Sequence, residues 1–125
     1  MLSGIASLVR VNFDSDNQLI SGSYYQNKYS EQENRQFAAE FEAITLKMVA
    51  CLDQQLAPED PQMQSAVREH YEFCLKFWTP NRESYKSLAL GFALPTGYNE
   101  TYEGYRPGLG NFIYQAAVHF ADTEL

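Results

Sequence analysis

Between Glu69 and Phe112 the aromatic side chains recur three and four residues apart, a spacing that lines one side of a helix and that a strand scatters over two faces. The segment reads His70-Tyr71-Glu72-Phe73-Cys74-Leu75-Lys76-Phe77-Trp78, then Glu83-Ser84-Tyr85-Lys86-Ser87-Leu88, then Tyr105-Arg106-Pro107-Gly108-Leu109. Asp60-Pro61 and Thr79-Pro80 each set a good N-cap before a proline, whose missing N–H costs nothing in the first turn. These signals predict a helix from Pro61 through Trp78, with Met63, Val67, His70 or Tyr71, Cys74 and Phe77 or Trp78 on one face. They predict another that carries Glu83, Tyr85, Leu88, Ala89 and Phe92 and stops at Pro95 and Gly97.

The same reading extends in both directions. Ser30 and Glu33 have capping-box spacing. Behind them Phe37, Phe41, Ile44, Met48 and Cys51 or Leu52 form an amphipathic stripe to about Gln55. Leu56 to Asp60 is a linker. Asn99 suits the cap of a short helix holding Tyr102 and Tyr105, and Arg106-Pro107-Gly108 makes the next corner. Leu109, Phe112, Ile113, Ala116, Ala117 and Phe120 then mark a last helix. About five helical segments on short linkers predict an all-α domain over residues 29–125. Residues 1–28 read differently. Val9, Val11 and Phe13 alternate with polar neighbours and Asp14 to Asn17 is turn chemistry, which permits either a short hairpin or a mobile arm.

Charge narrows the function. A formal net charge of −7, with Lys and Arg scattered singly, argues against contact with a phosphate backbone. No direct nucleic-acid binding is expected. The first ten residues lack a basic leader and are too short to span a membrane. Cys51 and Cys74 lie in apolar helical patterns, as reduced thiols do. A cytoplasmic protein is the expectation.

Catalytic and metal chemistry find little support. His70 and Cys74 stand four apart, the spacing of two metal ligands on a helix, but no third ligand accompanies them. Cys74 lacks the electropositive setting of a reactive thiol. His119 is the only other histidine, and no nucleophile elbow occurs. Neither an enzyme nor a bound cofactor is expected. The rings of Phe73, Phe77, Trp78, Tyr85, Phe92, Tyr98, Tyr102 and Tyr105, with His70, are the candidate ligand-binding set. Flat faces with polar tips suit a heterocyclic small molecule. Glu83 and Arg106 are the charged residues able to face such a cleft.

Taken in order, His70, Phe77-Trp78, Glu83, Leu88-Ala89, Phe92, Tyr98, Tyr102, Pro107-Gly108-Leu109, Phe112 and Ala116 resemble the TipAS antibiotic-recognition domain. Tyr29 to Leu56 agrees more loosely. That domain is the drug-binding half of certain MerR-type transcription regulators and also occurs alone. The resemblance implies a globin-like all-α fold with a deep cleft for bulky aromatic or heterocyclic antibiotics, and an N-terminal segment that orders over the ligand. Residues 1–28 would be that lid. Three departures stand out. Pro95-Thr96-Gly97-Tyr98 replaces an Asp-x-Arg-Phe loop, Tyr85 stands where a histidine is common, and Ser84 and Ser87 stand where some members place a drug-trapping cysteine. No MerR helix-turn-helix or coiled coil is expected ahead of the domain, so any transcriptional role would need a partner chain.

The expected function is therefore non-enzymatic binding of an antibiotic-like small molecule, for sensing or sequestration. The alternative is an interaction or homodimerisation module, or the ligand-sensing subunit of a regulator whose DNA-binding part lies on another chain.

Overall fold

Five α-helices follow one another in the computed structural model, which describes residues 29–125. They are α1 (Glu31–Asp53), α2 (Pro61–Cys74), α3 (Arg82–Ala93), α4 (Gly97–Tyr105) and α5 (Leu109–Glu124). No strand occurs among the described residues, and no helix among them is long and apolar enough to cross a membrane. The hairpin or arm expected over residues 1–28 lies outside the described residues. Backbone proximity divides the chain into two units, residues 1–43 and 44–125, with the boundary inside α1.

In the first unit the capping box forms as its spacing predicts. Ser30 N–H donates to Glu33 Oε1 at 2.8 Å and Glu33 N–H donates to Ser30 Oγ at 3.1 Å. Tyr29 meets Phe37 edge-to-face with centroids 4.9 Å apart, so the residue before the cap is pinned to the helix it introduces.

The second unit begins with the end of α1. Gln55 adopts a left-handed backbone (φ 61°), Leu56 N–H returns to the Cys51 carbonyl, and Gln55 N–H returns to that of Leu52. This is a Schellman stop with glutamine at the position glycine usually takes. It closes the helix at Asp53, two residues short of the expected Gln55.

Asp60 caps α2 as expected, its Oδ1 accepting from Gln62 N–H at 2.8 Å with Pro61 first in the helix. Asp60→Ala is expected to cost about 1 kcal/mol. Urea unfolding checks this, as a lower midpoint with an unchanged slope.

The sequence reading ran α2 through Trp78, whereas the helix stops at Cys74. Lys76 N–H bonds to Phe73, and both Phe77 and Trp78 bond to the Cys74 carbonyl, so the chain tightens into turns. Thr79 precedes Pro80 and is pushed out of the α region, which leaves no room for another helical turn. Phe77 and Trp78 thereby leave the α2 face.

Two caps also differ from the expectation. Asn81, not Thr79, caps α3: its Oδ1 accepts from Ser84 N–H and its N–H donates to Ser84 Oγ, both at 2.8 Å. Asparagine reaches these donors in an extended backbone, and Pro80 is instead buried as packing. Thr96, not Asn99, caps α4; its Oγ1 accepts from Asn99 N–H at 3.2 Å and donates to the Gly91 carbonyl. Asn99 is thereby freed for a different bond, described below.

Helix α5 organises the second unit, lying against α3 most extensively and also against α2 and α4. The stripe read from the sequence is the face it buries: Leu109, Phe112, Ile113, Ala116, Ala117 and Phe120. Four exposed ion pairs ring the assembly: Lys47–Glu69, Arg68–Glu124, Lys86–Asp122 and Arg106–Asp53. Such pairs contribute roughly 0–1 kcal/mol each, so buried apolar surface holds the helices together.

Candidate functional site

Helix α2 carries His70 and Cys74 one turn apart on its buried side, and α3 brings Tyr85 to meet them. His70 Nδ1 lies 2.8 Å from Tyr85 Oη and 4.0 Å from Cys74 Sγ. The imidazole also stands edge-to-face on Phe92, with centroids 5.7 Å apart. Phe92 in turn takes Tyr102 at 5.1 Å and Tyr98 at 5.9 Å in the same manner. On the other side Tyr71 and Phe120 pack against Tyr85. One chain of rings thus runs from α5 through α3 and α2 to α4.

Burial divides the nine candidate ligand-binding residues. His70, Phe73, Tyr85, Phe92 and Tyr102 are buried, and Tyr85 and Phe92 are fully so. Phe77, Trp78, Tyr98 and Tyr105 are half-buried. Between the half-buried and the buried sets, Phe77 meets Phe73 at 5.3 Å and Tyr98 meets Phe92 at 5.9 Å. The helical spacing brought the rings to one side of each helix, but depth depended on where each helix stopped.

The electrostatics suit recognition better than catalysis. Burial holds His70 down at about 4 from its ordinary 6.5 and pushes the Cys74 thiol up to about 12. A Cys–His pair works as a nucleophile when it is thiolate and imidazolium. Here burial favours the neutral form of both. Tyr85 is likewise raised well above its usual range, first by burial, and remains a phenol. Among the described residues, no group of three or more His, Cys, Asp or Glu side chains is arranged to hold a metal ion.

Neither charged residue singled out in the sequence joins the ring cluster. Arg106 forks onto Asp53, with Nε and Nη2 each 3.1 Å from a carboxylate oxygen, and Glu83 sits exposed in the first turn of α3. What the sequence reading missed is the junction that holds α3, α4 and α5 around the rings. Asn99 Nδ2 donates to the Phe92 carbonyl at 2.7 Å, at the end of α3 where no helical partner remains. Glu103 accepts from Gly108 N–H and Gly110 N–H, both at 2.9 Å, and so caps α5 from α4. Gly108 has no side chain to cap with and sits at φ 89°, so its cap must come from elsewhere. The Arg106-Pro107-Gly108 corner is the visible signal; the capping role of Glu103, three residues before it, is not part of the sequence reading.

The sequence model of the family described as the TipAS antibiotic-recognition domain matches residues 7–120. No curated protein and no solved structure matches this chain.

Proposed function

Because the chain belongs to the TipAS antibiotic-recognition domain family, we propose that it binds a bulky aromatic or heterocyclic antibiotic-like molecule and performs no chemistry on it. The family is one of all-α, globin-like ligand-binding domains, and the five helices between Glu31 and Glu124 agree with that fold. The family match over residues 7–120 is the observation that carries the reading.

The ring cluster supports it in physical terms. Half-buried Phe77, Trp78, Tyr98 and Tyr105 offer flat faces to a ligand. Behind two of them stand the buried rings of Phe73 and Phe92, and Phe92 packs in turn on His70, which bonds to Tyr85. Burying aromatic ligand surface on such faces supplies affinity, and a few polar contacts fix orientation. Residues 1–28, six of which precede the family match, are the proposed lid. Two free, buried thiols suit a reducing, cytoplasmic setting.

Thermal unfolding with a panel of thiopeptides and other heterocyclic peptide antibiotics tests the proposal, with fluorescence of Trp78, the only tryptophan, recorded alongside. A ligand at ~100 times its Kd should add about 2.7 kcal/mol of stability, several degrees for a chain of this size. A shift accompanied by a Trp78 change supports a ligand site beside the turn after α2.

A second reading has its own observation. Leu90 and Leu94, one turn apart at the end of α3, are 43% and 47% exposed. Exposed apolar neighbours mark docking surfaces when they form a patch. A melting temperature that rises with protein concentration and ignores every antibiotic would favour self-association over ligand binding.

A further inference from the structure

The two ring nitrogens of His70 have unequal surroundings. Nδ1 faces Tyr85 Oη at 2.8 Å, and the phenol has no other hydrogen-bond partner among the described residues. Nε2 has no hydrogen-bond partner among the described residues, although the side chain is only 4% exposed. It is also not among the buried side-chain atoms cut off from solvent without a bond. One edge of the ring is therefore anchored, and the other carries no bond among the described residues.

The anchor decides which nitrogen carries the proton. Tyr85 is fully buried, and its hydroxyl hydrogen needs an acceptor. If Nδ1 held the proton, both groups would offer hydrogen to one contact and the phenol would have no acceptor. If Tyr85 O–H donates to the Nδ1 lone pair, both are satisfied and the ring proton sits on Nε2. Resting on the ligand-binding function proposed above, we infer that His70 Nε2–H, its tautomer fixed by Tyr85, donates a hydrogen bond to the ligand and selects an uncharged acceptor, such as an amide carbonyl or an azole nitrogen.

The surroundings favour that acceptor over an anion. Phe92 packs on the imidazole, Tyr85 and Cys74 stay neutral, and burial keeps His70 uncharged near neutral pH. A carboxylate would be stripped of water with no cation to meet it, whereas a carbonyl or azole loses little and gains a bond strengthened by low polarity. His70 is then a ligand-contacting residue and Tyr85 a positioning residue.

The chain has two histidines, His70 and His119, so ¹⁵N-histidine labelling of the full chain gives two imidazoles, assigned with His119→Gln. In the free protein near pH 7, His70 is expected to show a protonated Nε2 and an unprotonated Nδ1. Tyr85→Phe should average the two. Benzamide at millimolar concentration should then move the Nε2 signal, while benzoate, a carboxylate with no azole nitrogen, leaves it in place. Tyr85→Phe should weaken carboxamide binding about fivefold. A proton on Nδ1, an unmoved Nε2 with the carboxamide, or an equal response to the carboxylate overturns the inference. The two proposals fail separately. Stabilisation by an antibiotic with the wrong tautomer removes the His70 role alone. The expected tautomer and carboxamide response, without stabilisation by any antibiotic, removes the antibiotic reading and keeps the donor.

Discussion

Gly110→Ala is expected to destabilise the protein by roughly 2–4 kcal/mol, on the order of 10 °C in melting temperature. Gly110 is in the first turn of α5, where that helix passes beneath the end of α3. A Cβ built there would overlap the Phe92 carbonyl oxygen and stand 2.7 Å from Asn99 Nδ2 and 3.2 Å from Glu103 Oε2. The first is backbone and cannot swing away. The others are the two side chains that complete the junction, so relieving the overlap disturbs the Asn99 bond to Phe92 and the Glu103 bond to Gly110 together. Each such bond contributes about 1 kcal/mol, and a buried carbonyl left unpaired costs more. The better helix propensity of alanine returns at most about 1 kcal/mol. Gly104→Ala is the control. It lies in α4 with nothing within 4 Å of its built Cβ, so the same substitution should be neutral or stabilise slightly. Calorimetry on both variants decides it, and a Gly110→Ala melting temperature matching that of Gly104→Ala would mean that α3 and α5 do not cross this closely.

That junction also shows where a sequence stops being legible. The apolar stripe of α5 and the caps at Ser30 and Asp60 could be read because each depends on residues two to four apart. The fold class followed from them. The starts of α3 and α4 differ from the reading because several good capping residues stand within a few positions, and α2 stops early at the turns before Pro80. Thr79 lost to Asn81, whose side chain alone could reach Ser84 reciprocally, and Asn99 lost to Thr96. Once Thr96 took the cap, Asn99 was free to bond the Phe92 carbonyl, a partner seven residues away that no local pattern announces. The candidate ligand residues behaved alike. Periodicity identified His70, Tyr85 and Phe92 as sharing a side. How deeply each was buried and which atoms met depended on how the helices packed and where each one stopped.

Acidification offers the second large effect, and it comes from the same histidine. In the unfolded chain His70 takes up its proton near pH 6.5; in the folded protein burial delays that until about 4. Between these values the unfolded state binds more protons, so stability rises with pH. The contribution is fully present above about 6.5 and is lost as pH falls towards 4. From pH 7 to pH 5 the loss should be about 2 kcal/mol, at roughly 1.4 kcal/mol per unit. Among the described residues Tyr85, Cys74 and Phe92 contact the imidazole, and none is an anion in this range. Other groups titrate in the same interval, so the measured quantity is a difference. Urea unfolding at both pH values should show the wild type losing about 2 kcal/mol more than His70→Gln, which cannot take up the proton. If that variant folds poorly, the native His70 resonances followed against pH give the midpoint directly. A midpoint near 4 bears out a ring shielded between α2 and α3; one near 6.5 means that water reaches Nδ1, and the donor geometry at Tyr85 goes with it.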